Sequence, residues 1–85
     1  MDQPVRETLR AYVLEHFLPG ESANSLEDST RLISSGIIAS IALVEFVGFI
    51  EDTFGVAIPE QDIGAARMDT IDQLAALVAS KRVDA

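Results

Sequence analysis

The sequence of 85 residues contains no cysteine and only one histidine, His16. Without cysteine the chain cannot form a disulfide framework or a thiolate zinc site. One histidine alone cannot form a histidine-rich metal site, so we expect no metal centre. Hydrophobic residues make up 48% of the chain, and this share predicts a folded protein rather than a disordered one.

Basic residues are scarce. Six lysines and arginines stand against 14 acidic residues, which gives a formal net charge of −8. This balance argues against nucleic-acid binding, because contacts with phosphates need lysine and arginine. It favours partners with basic docking surfaces, because complementary charge accelerates encounter.

Long apolar runs are also missing. No stretch approaches the roughly 18 residues that a membrane span needs, so no membrane association is expected. The first residues, Met1 to Pro4, lack the basic start and apolar core of a signal peptide, and the cytoplasm is the expected compartment. The length predicts one domain, residues 1–85, that is too small for a deep active-site cleft.

Apolar residues recur at three- and four-residue steps in three segments, which predicts three longer helices at about Pro4–Phe17, Ser40–Phe54 and Thr70–Lys81. A short helix is expected at about Glu60–Ala65, after Pro59. The predicted buried residues are Val5, Leu9, Tyr12, Val13, Phe17, Leu43, Phe46, Val47, Ile50, Phe54, Ile71, Leu74, Ala75 and Val78. The predicted class is all-α: a small helical bundle with three longer helices, a short helix and a long first loop.

Residue types at the helix ends support these boundaries. Asp2 can cap the first helix, and Ser40 is a good N-cap for the second. Gly55 is expected to end the second helix. Thr70 with Gln73 three residues later fits a capping box at the start of the last helix.

The segment Glu21–Ala39 shows no sustained period, and loops this long are uncommon unless they are functional or disordered. A short helical turn near Ser25–Thr30 is possible within it. Four aliphatic residues predict that the loop is ordered, because they can anchor it to the core. They are Leu26, Leu32, Ile33 and Ile37.

The second helix carries another set at helical spacing, beside its core stripe: Ile41, Val44, Glu45 and Gly48. A surface helix needs only one apolar face, so extra apolar residues suggest a surface for a docking partner. The alternative is that Ile41 and Val44 are core residues packed under the long loop. The pattern alone leaves both interpretations open.

Sequence signatures of enzymes are absent. There is no Gly-rich phosphate loop, no His-Glu-x-x-His motif and no cysteine nucleophile. A hydrolase with Ser40 as nucleophile would have to use His16 as its base, and a helical histidine without a positioned partner rarely acts so. We therefore expect a protein that is not an enzyme, with His16 as a surface or half-buried helical residue.

The run Leu32-Ile33-Ser34-Ser35-Gly36-Ile37-Ile38-Ala39-Ser40-Ile41 resembles the prosthetic-group segment of acyl carrier proteins, which typically reads Gly, two aliphatic residues, then Asp-Ser-Leu. The serine falls on Ser40. The resemblance continues through Val44-Glu45-Phe46, Phe54-Gly55 and Ile58-Pro59-Glu60, and Met68–Leu74 resembles the entry to the family's last helix.

This resemblance implies that a phosphopantetheinyl transferase moves a 4′-phosphopantetheine arm from coenzyme A to the Ser40 hydroxyl. The thiol of the arm would then carry acyl or aminoacyl groups as thioesters in fatty-acid, polyketide or other specialised biosynthesis. The implied partners are the transferase, a loading ligase and downstream enzymes. The carrier itself is expected to be a stand-alone monomer. The residues expected to contact these partners are Ile41, Val44, Glu45, Gly48 and Glu51.

One position departs from the family pattern. Ala39 stands where an aspartate normally precedes the serine and helps a basic transferase surface to recognise the site. Ala39 also supports an alternative, an interaction module with a carrier-like fold that never receives an arm. Ser34 and Ser35 are weaker candidates for modification, because they precede the Gly36-Ile37-Ile38 landmark.

Overall fold

The computed structural model describes residues 2–20 and 26–82, without the side chains of Asp2 and Ser40. Within these ranges the protein is helical and contains no strand. The helices are α1 (Asp2–Phe17), α2 (Ser40–Phe54), the short α3 (Ala65–Met68) and α4 (Ile71–Arg82). The predicted all-α class, with three longer helices and a long first loop, is confirmed.

Helix α1 begins two residues before the predicted start and ends at Phe17, as predicted. Val5, Leu9 and Val13 are buried at steps of four residues, and Tyr12 and Phe17 pack half-buried beside them. The proposed cap by Asp2 lies outside the described side chains.

Helix α2 has the predicted bounds, and its buried stripe consists of Leu43, Phe46, Val47 and Ile50. Phe54 is half-buried against the same core. Gly55 ends the helix in a left-handed conformation, with φ +66°, and its N–H donates to the Glu51 carbonyl at 2.9 Å. Glycine suits this position because it has no Cβ to clash there.

The short helix predicted at about Glu60–Ala65 begins at Glu60 as predicted, but it is a 3₁₀ helix that ends at Asp62, so the predicted end at Ala65 is wrong. The chain forms a 3₁₀ turn at Glu60–Asp62 and then the separate helix α3. Gly64 lies between them with φ +145°, a conformation that no helix contains, so one continuous helix cannot form there.

Helix α4 confirms the predicted cap in a modified form. The Gln73 N–H donates to the Thr70 hydroxyl at 3.0 Å, but the Gln73 side-chain oxygen accepts the N–H of Asp69 rather than that of Thr70, at 2.9 Å. The predicted residues Ile71, Leu74, Ala75 and Val78 are all buried, together with Leu77.

Helices α1 and α2 meet through aromatic rings. Tyr12 stacks on Phe49 with ring centroids 3.9 Å apart and on Phe46 at 5.5 Å. Phe17 meets Phe46 edge-on at 6.3 Å. Such ring pairs add about 0.5–1.5 kcal/mol each beyond their area burial, so this cluster fixes α2 against α1.

Charged side chains attach the first described part of the long loop to α1 and α4. Arg6 pairs with Asp28 at 2.8 Å and also with Asp72, while Arg10 pairs with Asp28. The Arg10 side chain also donates to the Leu26 carbonyl at 3.2 Å. Within the predicted turn near Ser25–Thr30, the structure has a turn in which the Thr30 N–H donates to the Glu27 carbonyl at 3.1 Å; Ser25 itself lies outside the described residues.

Candidate functional site

Ser40 is the first residue of α2, directly after the extended residue Ala39. The prediction that Ser40 is the N-cap is wrong by one position: Ala39 occupies it, with φ −70° and ψ 153°. The Ala42 N–H donates to the Ala39 carbonyl at 3.0 Å, which closes the first turn. The side chain of Ala39 has no acceptor, so no side chain of the N-cap residue binds the N–H groups of the first turn.

The start of α2 suits a bound phosphate. No acidic residue lies in the first turn, where Ala42 follows Ile41, so no carboxylate there repels an anion. Uncapped N–H groups and the positive end of the helix dipole attract negative charge. A phosphodiester on Ser40 would therefore lie in a favourable field.

The loop before Ser40 is folded back on itself. Leu32 and Ile38 are buried, and the Ile38 N–H donates to the Leu32 carbonyl at 2.8 Å. Between them the chain turns at Gly36, where φ is +88° and the N–H donates to the Ile33 carbonyl at 3.1 Å. For residues 26–39, the prediction of an ordered loop is supported by buried Leu26 and Leu32 and half-buried Ile33 and Ile37; residues 21–25 lie outside the described residues.

Asp69, between α3 and α4, holds this loop. Its carboxylate accepts hydrogen bonds from the Ile33 N–H at 2.7 Å, the Ser34 N–H at 2.8 Å and the Ser34 hydroxyl at 2.6 Å. Its backbone carbonyl accepts the Leu32 N–H at 2.6 Å. Burial raises the pKa of Asp69, but the bonds from Ser34 and Ile33 and the nearby Arg31 charge outweigh it and leave the pKa below its ordinary value.

The two serines that compete with Ser40 as candidates, Ser34 and Ser35, use their hydroxyl groups within the chain. Ser34 donates to Asp69, and Ser35 donates to the Arg31 carbonyl. Both hydroxyls thus have partners already, which supports the choice of Ser40 over either of them.

The second face of α2 is exposed. Ile41 and Val44 are 87% and 74% exposed, and Glu45 is exposed beside them. The interpretation that Ile41 and Val44 are core residues under the loop is therefore wrong. Two aliphatic residues thus lie in water within about one turn of Ser40, next to a carboxylate.

The remaining two predicted contact residues are less free. Gly48 lies half-buried on the same face, and Glu51 is half-buried. The Glu51 carboxylate accepts the Ile58 N–H at 2.9 Å and so fixes the chain after α2. Contact between Glu51 and partners remains a prediction, whereas its hydrogen bond within the chain is observed.

His16 lies exposed in the last turn of α1, as predicted, and its ring stacks on Tyr12 with centroids 4.2 Å apart. This stacking gives His16 a packing role that needs no catalytic function.

Sequence reasoning missed two residues of this site. Ile38 is 1% exposed and anchors the loop two residues before Ser40, and its place in an aliphatic pair was a usable signal. Asp69 gave no such signal, because an acid before a helix cap is usually solvated. Its partners lie 35 and 36 residues away in the chain.

Residues 18–78 match the PP-binding family model, described as a phosphopantetheine attachment site. The match spans well over half of the chain, and the protein belongs to this family, consistent with the predicted resemblance to acyl carrier proteins. A search of curated proteins finds no match.

Membership establishes a carrier domain for covalently attached 4′-phosphopantetheine. Domains of this family are typically non-catalytic and interact with transferases and biosynthetic enzymes. Among the described residues, no helix is both long enough and apolar enough to cross a membrane.

Proposed function

We propose that this protein carries acyl or aminoacyl groups as thioesters on a 4′-phosphopantetheine arm attached to Ser40, for fatty-acid, polyketide or other specialised biosynthesis. The observation that carries the proposal is the position of Ser40. It lies inside the matched range, at the first residue of α2 and directly after an anchored loop. When bound, the arm supplies the thiol that this cysteine-free chain lacks.

The residues around Ser40 support attachment and retention of the arm. The first turn of α2 offers N–H groups and no carboxylate, which stabilises a phosphodiester by about 0.3–1 kcal/mol through the helix dipole. The chain itself needs no base or nucleophile beyond the Ser40 hydroxyl. In this proposal the chemistry of loading and of acyl transfer belongs to the partner enzymes, and the carrier is not an enzyme.

The exposed face of α2 is the proposed docking surface, formed by Ile41, Val44, Glu45 and Gly48. Because these residues follow helical spacing from the turn that contains Ser40, a partner bound there also meets the arm. The carboxylate of Glu45 fits a basic partner surface, and the two aliphatic side chains give the complex apolar contact. The proposed partners are a phosphopantetheinyl transferase, a loading ligase and downstream biosynthetic enzymes.

The test is intact-mass measurement after incubation with coenzyme A and a phosphopantetheinyl transferase. We expect the wild type to gain the mass of one phosphopantetheine group and Ser40→Ala to gain none. Ser35→Ala is the matched control, because it removes a neighbouring hydroxyl that already has a partner, and it should load normally. Replacing Ala39 by aspartate in the same assay measures what the missing carboxylate costs in loading rate.

Two results would contradict the proposal. A wild type that gains no mass with several different transferases would favour the interaction module that carries no arm. A gain that persists in Ser40→Ala would move the attachment site to another residue.

A further inference from the structure

Asp69 is the only charged residue that is buried in the described part of the chain, with 6% of its surface exposed. Burying a carboxylate is costly unless hydrogen bonds replace its water. Here one hydroxyl and two N–H groups do so, and all three come from Ile33 and Ser34 in the long loop. The charge therefore serves the loop rather than the packing of α3 or α4.

The hydrogen bonds of this loop form a continuous connection from Asp69 toward Ser40. The Asp69 carbonyl accepts the Leu32 N–H, and the Leu32 carbonyl accepts the Ile38 N–H. Only Ala39 separates Ile38 from Ser40. Main-chain and side-chain bonds to Asp69 thus fix one end of a closed loop whose other end leads directly into the attachment residue.

We propose that Asp69 is a positioning residue for the loading of Ser40, because it holds residues 32–34 in the one arrangement that presents Ser40 to the transferase. The inference rests on the proposed function, since it assumes that Ser40 receives the arm. Asp69 does not touch the reacting atoms. It acts through the loop alone.

Stability alone does not explain the choice of an acid here. Leu32 and Ile38 already anchor the loop by burial, without any charged group. A carboxylate adds direction: its two oxygens accept three donors only when Ile33 and Ser34 adopt one geometry. Displacement of a reacting group by about 1 Å can cost roughly a hundredfold in rate, so this geometry matters for transfer to Ser40.

The experiment measures kcat and KM for transferase loading of four proteins at a temperature where circular dichroism shows each to be folded. They are the wild type, Asp69→Ala, Asp69→Asn and the matched control Asp62→Ala, whose carboxylate pairs with Lys81 at 3.0 Å instead of with the loop. We expect kcat/KM to fall about 10- to 100-fold in Asp69→Ala. Asp69→Asn should be intermediate, because its amide oxygen still accepts N–H groups. Asp62→Ala should match the wild type.

Hydrogen exchange gives a second readout that does not depend on loading. The Ile33 and Ser34 amides should be protected in the wild type and in Asp62→Ala, and should lose protection in Asp69→Ala. If Asp69→Ala does not fold, Asp69→Asn and Ser34→Ala carry the test, since each removes part of the same set of bonds.

The outcomes separate the two proposals. Normal wild-type loading together with wild-type kcat/KM in folded Asp69→Ala overturns the positioning role and leaves the proposed function intact. An equal decrease in Asp62→Ala also overturns it, because the effect would then be general. A wild type that gains no mass overturns the proposed function, and the role of Asp69 in loading falls with it.

Discussion

The pKa of Asp69 is governed by opposed effects within one small site. Burial raises it, whereas the Ser34 hydroxyl, the N–H groups of Ser34 and Ile33, and the charge of Arg31 lower it; the lowering prevails. The folded protein therefore binds a proton at Asp69 less readily than the unfolded chain does. In the unfolded chain the carboxyl group has its ordinary pKa of 3.8. By linkage, ionised Asp69 stabilises the fold above that value.

We predict that this contribution is fully present above the ordinary pKa and is lost as the pH falls through the lower pKa of the folded state. Urea unfolding of the wild type and Asp69→Asn between about pH 2.5 and 7 measures it. The difference in unfolding free energy should be constant near neutrality, about 1–3 kcal/mol for a charged hydrogen-bonded group, and should shrink below about pH 4.

The variant Asp52→Asn, at an exposed position, serves as the control, because it shows how the loss of one negative charge alone changes the unfolding free energy. If the wild type and Asp69→Asn differ by the same amount at every pH, the folded-state pKa of Asp69 is not lowered, and the hydrogen bonds of its carboxylate do not depend on its charge.

For single residues, the sequence predicts hydrogen bonds between near neighbours better than hydrogen bonds between distant segments. The Thr70–Gln73 cap was foreseeable because its two members are three residues apart. The Asp69 site was not, because it joins segments that only the folded chain brings together. The shift of the N-cap from Ser40 to Ala39 is of the size by which helix ends ordinarily vary.

Among the elements, the three longer helices were predictable to within two residues, because each has a sustained apolar period and a clear end. The short α3 was not, since a single turn has no period to detect. The exposure of Ile41 and Val44 was also beyond the sequence. Periodicity shows that they share a face but not whether the loop covers it.

The interior of α2 offers a test on a single helix. An ideal Cβ on Gly48 would meet no atom within 4 Å, and its φ is not positive. Glycine inside a helix costs about 0.5–1 kcal/mol relative to alanine. We predict that Gly48→Ala raises the unfolding free energy by about that amount and the melting temperature by about 2–8 °C.

Gly55→Ala is the matched control for this substitution. A Cβ on Gly55 also meets nothing within 4 Å, but its φ is +66°. The control should therefore lower stability by about 1 kcal/mol, because the left-handed conformation strains alanine. Equal signs for the two substitutions would contradict the conformational explanation. If Gly48→Ala is more stable yet loads more slowly, the face of α2 requires close approach at Gly48.

Over the whole molecule, acidic residues outnumber basic ones and the formal net charge is −8. Several cations are paired within the chain: Arg6 and Arg10 with Asp28, and Lys81 with Asp62. Glu45 is exposed on α2. A basic partner therefore meets a long-range negative field and, at close range, one carboxylate beside two aliphatic side chains.

We predict that loading slows as salt rises from about 20 to 500 mM, because screening weakens attraction beyond the Debye length of about 10 Å at 0.1 M. Two variants separate the local from the global effect. Glu45→Gln and Glu15→Gln each remove one exposed carboxylate, the first on the docking surface and the second on α1. At low salt, kcat/KM should fall more in Glu45→Gln, and the difference should disappear at high salt.

The effect of the apolar part of the proposed docking surface should not depend on salt. Ile41→Ser changes a residue that is 87% exposed, so it should cost little stability while raising the KM for loading at every salt concentration. For the charged part of the surface, equal decreases of kcat/KM in Glu45→Gln and Glu15→Gln at low salt would mean that only the total charge steers the partner. An unchanged KM in Ile41→Ser would place the docking surface on another part of the molecule, because an aliphatic side chain in water gains most of its binding energy when a partner covers it.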